Sequence, residues 1–427
     1  MNKLFTFLSA ALFTAAGVNA AVIGTNVPAL PLTSERVAAL PAWKSYVEKS
    51  TRQRQADQDF LHAEMKAHGL KEAIQPPKSA SPKGTPLDRT AGWYGGDDAG
   101  RIAENVISFQ TPAGGWAKHT DFTQHHRAPG ELFAGDSNSR FIITNDFDKP
   151  ADVNWSYVGT FDNDATITEL RFLAKVISAS KTNTSELQKS FTRGMEYIFA
   201  AQFPNGGWPQ VWPLQGGYHD AVTFNDDAML NIVRLLREVS LGEKDFVFAS
   251  PALRAKADAA WKHGSDCILA AQIVVNGMRT VWGQQHDAIT LQPTSARNYE
   301  MPSASSSESS TIILFLMQLP KPDSNVVATV HAAVAWFDKT KIEGKAFQVV
   351  GKESRKLVAA PGSGPIWSRY YEVGTDKPIF GDRDKSIHDD VNEISRERRK
   401  GYGWFKDTAK RVLQHYAKWA KQHPLPA

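Results

Sequence analysis

The motif Gln202-Phe203-Pro204-Asn205-Gly206-Gly207-Trp208 occurs in two further versions along this chain of 427 residues. One version covers Gln110–Trp116, and a degenerate version covers Gln272–Met278, with Trp282 shortly after it. Each version follows an apolar stretch with helical spacing and ends that helix with glycine. Helical hairpins that cannot bury an apolar face alone must stack on their neighbours. The repeat therefore predicts an all-α dominated protein, an α/α toroid whose ring of helical hairpins carries long loops and a few short strands.

The chain divides into three parts by composition. Residues 1–20 have a basic start, an apolar run and a small-residue cleavage site, which predict a signal peptide and a secreted or periplasmic protein. Residues 21–89 form an N-terminal extension with weak helical periodicity over 36–73 and a Pro- and Ser-rich linker over 75–88. Residues 90–427 carry the toroid. Within them, residues 345–380 are rich in glycine, proline and β-branched residues, and there we expect loops with short strands.

Composition excludes several classes of protein. Lysine and arginine number 49 against 45 aspartates and glutamates, and this net charge of +4 is too small to indicate a nucleic-acid partner. Beyond the signal peptide no apolar stretch is long enough to span a membrane. The single cysteine, Cys267, lies in an apolar helical stripe, so we expect a buried thiol and no internal disulfide. We expect the mature protein to be an exported monomer.

Two acidic clusters precede apolar helical stretches. One is Asp162-Asn163-Asp164 and the other is Asn225-Asp226-Asp227. A single Asp before a helix is usually an N-cap, but a cap does not need two or three such groups. The repetition suggests one shared site that either binds a hard cation such as calcium or carries paired acid/base chemistry. In a ring of hairpins these clusters would share one face with the loop 294–303, in which Arg297 is the one basic residue.

Several stretches resemble the family 10 pectate lyases, in the order in which that family has them. The resemblance covers roughly residues 90–420. The matching stretches, in chain order, are 114–118, 160–166, 202–210, 218–229, 282–287, 296–300, 367–371, 378–384 and 397–404.

This resemblance implies calcium-dependent β-elimination in polygalacturonate, which yields 4,5-unsaturated oligogalacturonates. Calcium and cationic side chains would neutralise the substrate carboxylate while the weakly acidic proton at C5 is removed. Arg297 occupies the position of the catalytic base. Because arginine is normally always protonated, we expect an alkaline pH optimum.

The resemblance also implies the remaining site residues. Asp162 and Asn163 match the cluster that binds calcium and substrate, and Asp226 and Asp227 are the further candidate metal ligands. Four side chains are candidates for contacts with the substrate in addition to Asp162. They are Arg369 and Arg383, whose planar guanidinium groups suit carboxylates, together with Lys118 and Tyr402.

Two other functions remain open on the sequence. A toroid glycoside hydrolase would use two carboxylates, for example Asp162 with Asp227, and would need no calcium. A non-catalytic protein that binds acidic glycans would not depend on Arg297. Several conspicuous residues have structural interpretations instead: packing for Trp116, Trp208 and Trp282, loop bracing for His219 and His286, and helix capping for Glu308.

Overall fold

The computed structural model describes residues 22–76, 85–134, 146–148, 158–351 and 354–425. The predicted signal peptide lies outside these ranges, as does most of the predicted linker. The helices are α1 (Pro41–Ala67), α2 (Asp97–Ser108), α3 (Ile167–Ala179), α4 (Ser185–Ala201), α5 (Ala228–Leu241), α6 (Pro251–Ala270), α7 (Ser306–Leu316), α8 (Ser324–Thr340), α9 (Arg396–Gly401) and α10 (Thr408–Gln422). The weak periodicity over 36–73 therefore corresponds to a real helix, α1.

The strands are short and lie mostly in the loops between helices. They are β1 (Val22–Thr25), β2 (Val222–Thr223), β3 (Val274–Val275), β4 (Met278–Arg279), β5 (Gln285–His286), β6 (Ala304–Ser305), β7 (Lys345–Val349), β8 (Arg355–Ala359), β9 (Trp367–Ser368), β10 (Tyr370–Tyr371), β11 (Phe380–Gly381), β12 (Ser386–His388) and β13 (Phe405–Lys406). The largest sheet has the antiparallel order β1-β12-β11, and the others are two-stranded. Strands β7 to β11 lie within or close to residues 345–380, where short strands were predicted.

The helices form an α/α toroid, as the repeat predicted. Helices α3, α5 and α7 present most of their apolar side chains to one continuous core. Helix α4 packs on α3, α6 packs on α5, and both α8 and α10 pack on α7. The other helix of each pair is more exposed, so α3, α5 and α7 form the buried layer. Cys267 lies in this core as a buried thiol.

The tryptophan of each repeat closes the turn that follows a helix. All three indoles are fully buried, and each donates a hydrogen bond of 2.7–2.9 Å to a backbone carbonyl in the last turn of that helix. The pairs are Trp116 with Val106, Trp208 with Ile198, and Trp282 with Ile268. Trp367 makes the same contact with Phe337 at the end of α8, although the surrounding motif there is unrecognisable. The predicted packing role of the three tryptophans is confirmed.

The glutamine of each repeat links one hairpin to the next. Its side-chain amide donates to a carbonyl within its own turn and to a carbonyl on the exposed helix of the following hairpin. Gln110 thus reaches Ser190 in α4 at 2.9 Å, Gln202 reaches Ala260 in α6 at 3.0 Å, and Gln272 reaches Thr329 in α8 at 3.2 Å. The glycines permit this close approach, since a Cβ on Gly114 would lie 2.5 Å from the Arg193 carbonyl oxygen of α4. The motif therefore encodes a helix stop and a link along the ring.

The N-terminal extension packs against this ring. Trp43, Tyr46 and Val47 of α1 belong to the main core, and the Tyr46 hydroxyl donates to the Ala201 carbonyl at the end of α4. Within the described residues, no helix is both long and apolar enough to cross a membrane.

Candidate active site

The two acidic clusters fold into tight turns rather than into helix caps. Asp162–Asp164 and Asn225–Asp227 each form one 3-10 turn ahead of α3 and α5, and none of their side chains caps the helix that follows. Both turns are left-handed in part, with φ of 51° at Asn163 and 50° at Asp226. Asn and Asp tolerate this conformation better than most residues, although it is strained. The turns aim successive carboxylates in different directions.

One carboxylate and one amide from each turn reach a shared cleft of about 300 Å³. The cleft is strongly polar, and its walls come from both acidic turns and from the loops around residues 118, 210, 284 and 296. Its lining residues are Lys118, His119, Asp148, Asp162, Asn163, Gln210, Tyr218, Asn225, Asp226, Gln284, Gln285, Ala296, Arg297 and Glu300. The ring thus brings together five of the predicted site residues: Lys118, Asp162, Asn163, Asp226 and Arg297.

Asp162 forms a buried ion pair with Lys118. Both side chains are less than a tenth exposed, and the ammonium donates directly to the carboxylate. Burial acts to raise the pKa of Asp162, but the charge of Lys118, assisted by Arg297, holds that pKa below its ordinary value. Asp162 is therefore a carboxylate throughout the neutral range.

Asp226 lies in the same cleft with less compensation for its charge. Its carboxylate accepts a hydrogen bond of 2.9 Å from the Asn225 amide and forms no ion pair within the described part of the chain. Burial, reinforced by the charges of Asp162 and Glu308, raises its pKa to about 6. A cation bound beside Asp226 would therefore stabilise the ionised form of its carboxylate.

The third residue of each turn faces away from the cleft. Asp164 accepts from the Asn231 amide of α5 at 2.5 Å, and Asp227 accepts from the Thr311 hydroxyl of α7 at 2.6 Å. These contacts tie each turn to a neighbouring helix of the buried layer. The assignment of Asp227 as a metal ligand stays a prediction, and its contacts favour a structural role.

Arg297 is held by Glu300 in a bidentate ion pair. Its Nε and Nη2 donate to the two carboxylate oxygens at 2.8 and 2.6 Å. The Glu300 side chain is 2% exposed and that of Arg297 is 37% exposed, so the guanidinium faces the cleft from a buried anchor. Burial acts to lower the pKa of Arg297, but Glu300 holds it well above its ordinary value. The Tyr402 hydroxyl donates to the same carboxylate at 2.6 Å. Tyr402 is not among the residues that line the cleft, so its contact with the site runs through Glu300.

Arg369 and Arg383 belong to the surroundings of the cleft. Arg369 pairs with buried Glu308 and donates to the Asn225 side-chain oxygen at 2.9 Å. Glu308 is thus the partner of a buried arginine and also accepts from the Ser305 hydroxyl, a larger role than the helix cap that was predicted. Arg383 donates to the half-exposed Glu397 at 3.0 and 3.1 Å. Neither arginine lines the cleft, and their substrate contacts stay predictions.

The two histidines brace loops, as predicted. His286 is fully buried between the Gly283 amide and the Leu291 carbonyl, and burial lowers its pKa to about 4, so it is neutral. His219 is also buried and contacts the Gln210 side-chain oxygen at 2.9 Å.

Sequence reasoning missed Glu300 and Glu308 as partners of the two arginines. A buried guanidinium needs a carboxylate, and Glu300 lies only three residues from Arg297. That spacing was a usable signal. Glu308 lies 61 residues from Arg369, and without the fold nothing links the two.

A family model described as pectic acid lyase matches residues 110–413. The chain belongs to this family. A family 10 polysaccharide lyase from Cellvibrio cellulosa is similar in structure, with a TM-score of 0.63 and 31% sequence identity over 80% of this chain and 99% of that one. A variant of that lyase in complex with trigalacturonic acid has a TM-score of 0.63 and 32% identity over 75% of this chain and 92% of that one. Comparison with curated protein sequences gave no match.

The protein is thus a pectate lyase, and the predicted family, fold class and enzyme class are confirmed. The glycoside hydrolase and the non-catalytic binding protein are excluded as its primary function. In the described ranges of this pectate lyase, no group of three or more His, Cys, Asp or Glu side chains is placed to hold a metal ion. Of the four carboxylates that line the cleft, Asp162 and Asp226 are the two that come from the acidic turns, and amides supplement them.

Proposed function

We propose that this pectate lyase cleaves polygalacturonate by calcium-dependent β-elimination and releases 4,5-unsaturated oligogalacturonates, with Arg297 as the base. One observation carries the proposal: Asp162, Asp226 and Arg297 line a single cleft although they come from three separate loops. The related lyase with bound trigalacturonic acid supports the substrate class.

The donor set fits calcium. Calcium prefers six to eight oxygen ligands, and carboxylates and amide oxygens are the side-chain types available here. Asp226, with its raised pKa and without an ion pair among the described residues, is the first choice, followed by Asp162 and then Asn163. Asp227 would have to leave the Thr311 hydroxyl and turn toward the cleft to join them. Two carboxylates leave ligand positions for the uronate carboxylate. Bound there, calcium would neutralise that carboxylate and so acidify the proton at C5.

Arg297 would remove the C5 proton. The electrons of the C5–H bond form the C4=C5 double bond, and the glycosidic oxygen leaves C4. Arg297 must first lose a proton itself, and the bidentate contact with Glu300 opposes that loss while fixing the orientation of the guanidinium. The expected consequence is an alkaline optimum. Glu300 disfavours this deprotonation of Arg297. The positive charges of calcium, Lys118, Arg369 and Arg383 would favour it.

The same cations would hold substrate carboxylates. Lys118 lines the cleft and is the nearest candidate. Arg369 and Arg383 would each have to share or exchange a glutamate partner. Tyr402 would act through Glu300, whose carboxylate it contacts directly.

We further propose that the protein acts as a monomer and is exported after cleavage near Ala20. Family membership supports export, because polygalacturonate is a polymer outside the cell. The N-terminal sequence of the protein recovered from the medium or the periplasm tests this. A mature chain that still begins with residues 1–20 would contradict it.

The decisive experiment measures ultraviolet absorbance from unsaturated products on polygalacturonate, with calcium and with a chelator. We expect absorbance to rise only with calcium. Saturated products, or equal rates in the presence of the chelator, would refute the mechanism. Asp226→Asn should require more calcium for half-maximal rate. Lys262→Ala, which removes an exposed ion pair with Asp258 far along α6, is the control and should behave as wild type.

A further inference from the structure

The segment before α1 runs along the active-site loops. We call residues 22–36 the N-terminal strap. Its first residues form β1, which pairs antiparallel with β12 so that Thr25 lies opposite Ser386. At its other end the Arg36 guanidinium pairs with Asp287, whose carboxylate organises the turn at 287–290. The strap is therefore anchored at both ends. It lies outside the residues that match the family model, which begin at residue 110.

Asn26 joins the strap to the loop that carries Arg297. Its side-chain amide donates to the backbone carbonyls of Arg297 and Asn298 at 3.2 and 3.0 Å. Its backbone N–H donates to the Lys385 carbonyl at 2.8 Å, and the residue is 4% exposed. The hydroxyl of buried Ser295 adds a second link by donating to the Val27 carbonyl. The loop therefore has two polar links to the strap.

The same junction reaches the loop that carries Arg383. The Asn298 amide donates to the Arg383 carbonyl at 2.9 Å, while its oxygen accepts from the Phe147 N–H at 3.0 Å. Two asparagine side chains thus connect the strap with the loops of Arg297 and Arg383. Ala29 packs with Tyr218 and Ala296, two residues that line the cleft. The strap forms the outer support of the cleft wall.

We propose that Asn26 of the N-terminal strap is a positioning residue that holds the Arg297 loop in its productive geometry. The proposal rests on the proposed role of Arg297. Loops move unless buried polar contacts hold them, and a displacement of about 1 Å at a reacting group can cost roughly a hundredfold in rate. Removing the Asn26 amide leaves a buried carbonyl without its donor, so the loop shifts or solvates.

Asn26→Ala tests this by kinetics and by hydrogen exchange. We expect kcat on polygalacturonate to fall roughly tenfold to a hundredfold with KM within about threefold, because positioning affects the chemical step more than binding. Amide exchange in residues 295–300 should accelerate, while exchange in α5 stays unchanged. Asn26→Asp, which keeps the size but loses the donor, should resemble Asn26→Ala. Leu30→Ala, at a strap side chain 67% exposed, is the matched control and should leave both readouts unchanged.

Two results would overturn the proposal. One is kcat within about twofold of wild type in Asn26→Ala, and the other is lost activity without faster exchange at residues 295–300. If Asn26→Ala does not fold, Ser295→Ala removes the second link and is judged by the same readouts. Arg297→Lys separates the role of Arg297 as base from the role of Asn26 in holding the loop. Full turnover in Arg297→Lys would refute Arg297 as the base. Amide exchange at residues 295–300 in Asn26→Ala still decides whether the strap holds the loop.

Discussion

The buried pair between Glu300 and Arg297 allows a quantitative test with Glu300→Gln. Burial acts to raise the pKa of Glu300, yet the charge of Arg297 lowers this pKa to about 2 from an ordinary value of 4.5. This difference corresponds to about 3 kcal/mol of stability at neutral pH. Arg297 is 37% exposed, so solvent screens part of the interaction, and we expect a loss of about 2–3 kcal/mol.

The pH dependence of this loss follows from the direction of the shift. A carboxylate whose pKa is lower in the folded state stabilises the protein above its unfolded pKa and loses that effect as pH falls through its folded pKa. The difference in free energy of unfolding between wild type and Glu300→Gln should therefore be constant above about pH 5. It should fall below half of its neutral value by about pH 3.

Urea unfolding over this pH range is the assay, and Glu238→Gln is the matched control. Glu238 makes the same bidentate contact with Arg171, at 2.6 and 3.0 Å, but the carboxylate is 44% exposed. We expect a loss below about 1 kcal/mol there. Equal losses for the two variants, or a loss for Glu300→Gln that does not change with pH, would refute the reasoning. If Arg297 is the base, Glu300→Gln should also move the alkaline rise in kcat to lower pH.

Three further predictions concern the site and the ring. Arg297→Lys should lower kcat at least about a hundredfold, measured by product absorbance, and near-full turnover would remove Arg297 as the base. Because the pKa of Asp226 is raised to about 6, calcium affinity measured by calorimetry should weaken about tenfold per pH unit below that value, and a flat profile in wild type would contradict this. Trp282→Ala should cost about 3–5 kcal/mol in urea unfolding, whereas Trp261→Ala, at a half-buried indole, should cost clearly less, and equal costs would argue against the buried indole link.

The ring could be predicted because its determinants are local and repeated. Glutamine, glycine and tryptophan recur in the same order after successive helices, and each tryptophan binds a carbonyl that lies 10 to 14 residues away. The fourth such turn, at Trp367, was not predicted. Its indole donates the same kind of hydrogen bond, to the Phe337 carbonyl, but the motif is missing around it. The fold could therefore be predicted from the repetition of the motif rather than from any single residue.

The site was only partly predictable. Residue type and family resemblance indicated candidate site residues, and the cleft contains five of them. The conformation of the acidic clusters was not predicted, because both turns adopt left-handed conformations that a propensity argument does not anticipate. The partners Lys118 for Asp162 and Glu308 for Arg369 lie 44 and 61 residues apart along the chain. The sequence shows that these charged residues are present, but it does not show which of them form ion pairs.

By itself the sequence determined the helical repeat, the family and a set of candidate polar site residues, because these depend on local spacing and residue type. Only the tertiary structure decided which carboxylates face the cleft, which arginine meets which glutamate, and that the N-terminal strap reaches the Arg297 loop. The reason is physical: ion pairing and desolvation depend on distances across the ring, and those distances arise only when the hairpins have stacked. Asp162 and Asp226 have similar sequence surroundings, yet one has a lowered pKa and the other a raised one.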